Sequence, residues 1–202
     1  NGVTLHRCAG RIADCTISDV LLAGLRSLDA AGLEIVHNAI SDCRNNGIQA
    51  WRSQLGEDGT IVTANRIARI EAKGGGTGEN GNGVSVFRAG NVVVSGNRIT
   101  DCAYSAVRGN AASNLQILAN NAQRIGEVAL YAEAADERAG AAGFEGAIMA
   151  SNVVDDAAAG LVVTNYNNGG RLAVVQGNLI RNLKPREHEA VDKRGEGIAV
   201  EA

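Results

Sequence analysis

Four residue pairs hold most of the side chains able to do chemistry: Gln49 and Trp51, Ser85 and Phe87, Arg108 and Asn110, Tyr131 and Glu133. Each pair is separated by one position, the spacing that puts both residues on one side of a β-strand. The chain has one tryptophan, three tyrosines and two phenylalanines. Three of these six rings fall in the pairs, and Tyr166 lies just beyond a related stretch. Rings beside amides, a guanidinium and a carboxylate suit a sugar, whose C–H patches stack on rings while its hydroxyls bond polar groups. Gln49, Trp51, Phe87, Arg108, Asn110, Tyr131 and Glu133 are therefore the candidate residues for binding a saccharide. The competing role for such rings is to cover strand backbone or to form a subunit contact.

Catalysis asks for more. Glycoside hydrolysis needs two carboxylates about 5–10 Å apart, and elimination from a uronide needs a base beside a cation that neutralises the acid. Glu133 and Arg108 are the catalytic candidates on that face. Glu187, His188, Glu189, Asp192, Lys193 and Arg194 crowd one loop, where charges are ordinarily solvated. Asp42, Asp101 and Asp156 recur at one turn position, so a turn-capping role is expected of them. Gly76-Thr-Gly78-Glu-Asn-Gly81 fits a dinucleotide-binding string but leads into a strand instead of a helix, which removes that reading. A calcium-binding nonapeptide is likewise present as one incomplete copy, so the segment reads as a flexible loop beside the groove.

Cys8, Cys15, Cys43 and Cys102 show no zinc spacing, and His6, His37 and His188 are scattered, so neither a metal nor a cofactor is expected. A net charge of −3 argues against nucleic acid as a partner. No apolar run is long enough to span a bilayer. Asn1 is not a natural start, and residues 1–202 are expected to be one domain cut from a longer solenoid with further coils.

The elements that position these side chains follow from a repeat. In Val94-Ser-Gly-Asn97-Arg-Ile99-Thr-Asp101 an aliphatic lies three before an asparagine, another two after it, and an aspartate four after it. The flanking pattern recurs around Asn38, Asn65, Asn120, Asn152 and Asn178, and around Cys15 in the asparagine's place, with the aspartate again after Cys15, Asn38 and Asn152. Spacings of 23 to 32 residues without a helical period mark a β-solenoid. About nine residues after each anchor comes a small residue and an aliphatic, as in Gly47-Ile48, Gly83-Val84 and Ala106-Val107. The expected fold is an all-β, single-stranded parallel β-helix of about seven coils with three short strands each, right-handed by the general rule for parallel crossovers. Seven rungs at the strand spacing make a rod roughly 34 Å long.

Several details follow from that register. The asparagines should stack as a ladder at a sharp corner in left-handed geometry, broken at Cys15, so that Asn38 matters less than Asn97. Cys43 and Cys102 should be separated by Ile70 and remain free thiols. No helix longer than about two turns should interrupt the coils, although residues 134–142 could hold a short one. Inserted segments 53–58, 73–82, 134–146 and 185–196 flank the Gly-Ile strands and should wall a groove along them.

The N-x-I-x-D corner followed by a Gly-Ile strand resembles the right-handed parallel β-helix repeats of the pectate-lyase-like superfamily, over nearly the whole chain. The repeats also look like the bacterial repeat-containing proteins exported by the twin-arginine route, a family without an assigned biochemical role. The first resemblance implies that the strand after the long turn carries a carbohydrate site, by position only. The second implies a periplasmic or extracellular location. The functional expectation is a β-helix that binds an extended saccharide along its Gly-Ile face. A polysaccharide lyase or glycoside hydrolase using the same groove, and a structural or protein-binding envelope solenoid, are the alternatives.

Overall fold

The computed structural model describes residues 1–134, 145–165, 171–184 and 195–201, except the side chains of Arg171 and Glu201. Strands with an aliphatic every second residue and positive-φ residues at the bends wind into stacked coils, all paired in parallel. Each coil contributes a Gly-Ile strand, a second strand before the anchor and a third after it. One coil shows them well: Val84–Gly90, Val93–Ser95 and Arg98–Cys102. The second strands form a seven-stranded sheet of their own. No helix occurs among the described residues.

The other two faces join into one sheet, because Asn121–Glu133 and Val153–Thr164 run on from a third strand into the next Gly-Ile strand. Short separate strands were expected there. These two stretches pair with one another through the corner, with a register shift between Ile125 and Val128. A bulge of that kind bends a strand without ending it.

The interior consists of the columns that strand alternation implies. Ile35, Val62, Val94, Ile117 and Met149 are aligned and wholly buried, as are Leu25, Ile48, Val84, Val107, Leu130 and Leu161. Cys43 pairs with Ile70, and Ile70 with Cys102, as the repeat register requires. All four cysteines are free. Burial pushes the Cys43 thiol up to about 11 and Cys102 higher still, so neither is a thiolate at neutral pH.

The asparagine ladder is continuous. Asn65 donates its backbone N–H and its amide Nδ2 to Asn97 Oδ1, at 2.9 and 3.0 Å. Asn97 does the same to Asn120, Asn120 to Asn152, and Asn152 to Asn178. Each Nδ2 also reaches back to a strand carbonyl of the preceding coil, as Asn97 does to Val62 at 3.0 Å. Two expectations are corrected here. The ladder does not break at Cys15, whose backbone N–H donates to Asn38 Oδ1 at 3.1 Å, because a ladder bond can come from the main chain. The left-handed residue is also not the asparagine but the one before it: Asp14, His37, Ala64, Gly96, Ala119, Ser151 and Gly177 all have φ between 52° and 62°. Turning the chain one residue early lets the amide point along the stack.

The small residue of each Gly-Ile pair has a packing cause. A Cβ on Gly47 would lie 2.5 Å from the Gly83 carbonyl oxygen and 2.7 Å from the Ile67 side chain. Beside it runs a shorter polar column that the repeat reading missed. Asn46 Oδ1 accepts from Asn82 N–H at 3.0 Å, and Asn82 Oδ1 accepts from Ser105 N–H at 3.2 Å. Its sequence signal is the polar residue, Asn46, Asn82 or Ser105, that precedes three successive pairs.

Candidate functional site

Along the outer side of the Gly-Ile strands, register aligns Leu28, Trp51, Phe87, Asn110, Glu133 and Thr164 in one column. Arg26, Gln49, Ser85, Arg108, Tyr131 and Val162 form the other. Both columns are as the repeat implies, but the face divides into an accessible part and a covered part.

Trp51 and Phe87 make the accessible part, each half-buried on adjacent coils. Their rings meet edge to face with centroids 5.9 Å apart, and the indole Nε1 donates to Ser85 Oγ at 3.0 Å. The Arg26 guanidinium lies 5.7 Å from the Trp51 ring, and that of Arg88 lies 4.8 Å from Phe87. Such contacts hold both rings by cation–π attraction. Gln49 lies between these coils but is only 6% exposed, so it is part of the floor.

One wall of this platform comes from the 53–58 insertion. Strand Ile48–Glu57 resumes pairing with Val84–Gly90 at Gly56 and Glu57, while Arg52 to Leu55 bulge out opposite Arg88 alone. Asp29 grips the bulge by accepting from the Ser53 backbone N–H at 2.8 Å and from Ser53 Oγ at 3.0 Å. Arg88 donates to the Ser53 carbonyl at 3.1 Å.

The covered part centres on Arg108. Its Nε meets Glu133 Oε1 at 2.6 Å, its Nη1 stands 3.5 Å from Glu127 Oε2, and its guanidinium lies 5.1 Å from the Tyr131 ring. Asn110 also donates to Glu133 Oε1, at 2.9 Å. Tyr131 and Glu133 are 2% and 3% exposed. The expectation that they line an open groove is therefore corrected. The 73–82 insertion lies over the cluster, with Gly78 packed on the Arg108 guanidinium where any Cβ would overlap it. Asn46 Nδ2 donates to Glu79 O, Tyr104 Oη to Gly76 O, and Arg108 Nη1 to Thr77 O, which ties the segment down.

Glu127 is the residue that strand reading missed, because it sits in the corner before the Gly-Ile strand and outside the period-two pattern. Burial pushes its carboxyl up to about 7, against the opposing pull of Arg108, while Ser105 Oγ donates to it at 3.4 Å. Burial alone would depress Arg108, but the carboxylates of Glu133 and then Glu127 outweigh it and raise its pKa. Beside this permanently charged guanidinium, Glu127 is the group whose carboxyl can hold or release a proton near neutral pH.

The recurring aspartates sit at bends in the third strands. Asp42, Asp101 and Asp156 themselves occupy left-handed geometry, with φ of 54°, 57° and 62°. The first two form two-point ion pairs with Arg69 and Arg124 of the following coils. Tyr166, the 185–194 charges and most of the 134–146 insertion lie outside the described residues. Among the described residues no cluster of metal-ligating side chains occurs, and no helix is long and apolar enough to cross a membrane.

A family model described as right handed beta helix region matches residues 1–180. No curated protein matches the chain. Among solved structures, the A-module of mannuronan C-5 epimerase AlgE6 from Azotobacter vinelandii aligns with a TM-score of 0.66 at 15% identity, over 91% of this chain and 56% of that one. The AlgE4 A-module from the same organism aligns at 0.59 and 14% identity, over 93% and 57%. The chain thus spans a little over half the length of these structures, and at such identity the likeness is one of fold.

Proposed function

The chain belongs to the right-handed β-helix family, and from that premise we propose that it binds an extended saccharide across its Gly-Ile face, outside the cytoplasm. One observation carries the reading: Trp51 and Phe87 stand on adjacent coils as a half-exposed ring pair held between Arg26 and Arg88. Rings on adjacent coils, with centroids 5.9 Å apart, offer successive contact positions to a polymer, while the guanidinium edges offer donors to hydroxyls or carboxylates. That the solved structures of similar fold are modules of mannuronan C-5 epimerases supports a saccharide over a protein partner. Binding to a glycan array tests this. Trp51→Ala should weaken binding by about 1–3 kcal/mol, the scale of one buried aromatic contact, in a variant that still folds cooperatively. A variant that binds every glycan as the parent does would remove the platform from the account.

A second reading, a polysaccharide lyase or hydrolase, is favoured by Glu127. A carboxyl near pH 7 beside Arg108 has the makings of a base paired with a charge-neutralising cation. The 73–82 segment would have to move for substrate to reach it. Release of unsaturated or reducing ends from a polysaccharide, lost in Glu127→Gln, is the result this reading requires.

A further inference from the structure

The corner joining each third strand to the next Gly-Ile strand holds a cleft lined by none of Trp51, Phe87, Arg108 and Glu127. Two adjoining hollows of about 750 and 630 Å³ share Ile70, Glu71, Lys73 and Asp101 in their linings. Together they run from Asp19 to Asp156, that is, along six coils. We infer that this cleft is a second binding site, for an uncharged polyhydroxylated chain, that is, a neutral oligosaccharide.

The floor is built for hydroxyls. Arg69 meets Asp42 through Nε and Nη2 at 2.6 and 2.7 Å, and Arg124 meets Asp101 at 2.6 and 2.8 Å. The arginines remain 61% and 50% exposed, and the aspartates 37% and 38%. Each pair thus keeps outward N–H donors beside outward carboxylate lone pairs. A hydroxyl both donates and accepts, so it can satisfy both members at once. Arg69 holds the Asp42 carboxyl down to about 2, and Arg124 likewise lowers Asp101. The floor therefore stays ionised across the physiological range. The two pairs lie two coils apart, roughly 9.6 Å at the strand spacing, so the surface repeats along the rod as a polymer does.

Charge and topology select the ligand class. Carboxylates and cations are nearly balanced along the cleft, and Glu71 and Lys73 on its rim lie 3.9 Å apart, so no excess field attracts a polyanion or a polycation. The strands along it, from Ala39–Cys43 through Asn121–Glu133, are hydrogen-bonded on both sides. A peptide consequently finds no free edge for strand addition. Half-buried Tyr104, fixed by its hydroxyl to the Gly76 carbonyl, supplies the one aromatic surface of the lining.

Calorimetric titration with a neutral β-linked glucan hexasaccharide, and in parallel an oligouronate of equal length, tests the site. The neutral ligand should bind, and Arg124→Gln and Arg69→Gln should each weaken it at least tenfold while melting as the parent does. Trp51→Ala should leave this event unchanged, which separates the cleft from the ring platform. Failure of the neutral hexasaccharide to bind overturns the inference. So does equal affinity in both arginine variants, or equally tight binding of the oligouronate that depends on Arg124. Loss of binding in Trp51→Ala alone would overturn the cleft and leave the platform standing.

Discussion

Asn97 joins three coils through one side chain: its Nδ2 donates to the Val62 carbonyl and to Asn120 Oδ1, and its Oδ1 accepts from Asn65. Asn97→Leu leaves buried donors and acceptors on both neighbours, so it should cost on the order of 1–3 kcal/mol in chemical denaturation. Asn38 is bonded as fully, to Ile12 O, Asn65 Oδ1 and Cys15 N–H, so Asn38→Ala should cost a similar amount. An Asn38 variant as stable as the parent would show that the ladder fails at its first step. The column of asparagines was legible as a repeated letter. The main-chain bond that replaces the missing one at Cys15 was not, since a backbone N–H leaves no trace in residue type. Glu127 was illegible for a related reason: its raised carboxyl results from burial under residues distant in the chain. A free glutamate titrates near 4.5 and this one near 7, so the folded state holds the proton more tightly. The resulting stability is present below about 4.5 and lost as pH rises through about 7. Glu127→Gln should therefore lose less stability than the parent between pH 5 and 8, by on the order of 1–3 kcal/mol. Parallel pH profiles for the two proteins would contradict the burial account.

At the scale of elements, strand positions were readable because period-two alternation and a recurring anchor fix which residues share a face. Every predicted column, from Ile35–Met149 to Trp51–Glu133, is a register pair in the structure. What was not readable is how corners and insertions fold, since neither is periodic. The 73–82 segment was read as a groove wall and instead lies over Arg108, because glycine at 78 admits the guanidinium. Packing at the Gly-Ile corner is checkable directly. Gly47→Ala forces a methyl against the Gly83 carbonyl and should cost about 1–3 kcal/mol. Gly197→Ala meets no atom within 4 Å and should change stability by less than about 0.5 kcal/mol. Equal melting temperatures for the two variants would dismiss close coil approach as the reason for the small-residue column.

Across the whole molecule, coil stacking converts residues scattered between positions 26 and 133 into one continuous outer face. The core is built of aliphatic columns such as Leu25, Ile48 and Val84, which leaves the outer side of the Gly-Ile strands to present Trp51 and Phe87. Of the seven candidate residues, Trp51 and Phe87 make the accessible part, because Tyr131, Glu133 and Gln49 are too buried to meet a ligand as they stand and Arg108 lies under the 73–82 segment. Trp51 is the sole tryptophan, so its emission reports on the platform without interference. The most direct measurement is a titration of that emission with neutral and acidic oligosaccharides, in the parent and in Phe87→Ala. The account predicts a saturable change in the parent for at least one glycan, with affinity weakened by about 1–3 kcal/mol in the variant. Emission that no glycan alters, or a saturable change of equal affinity in both proteins, would contradict it.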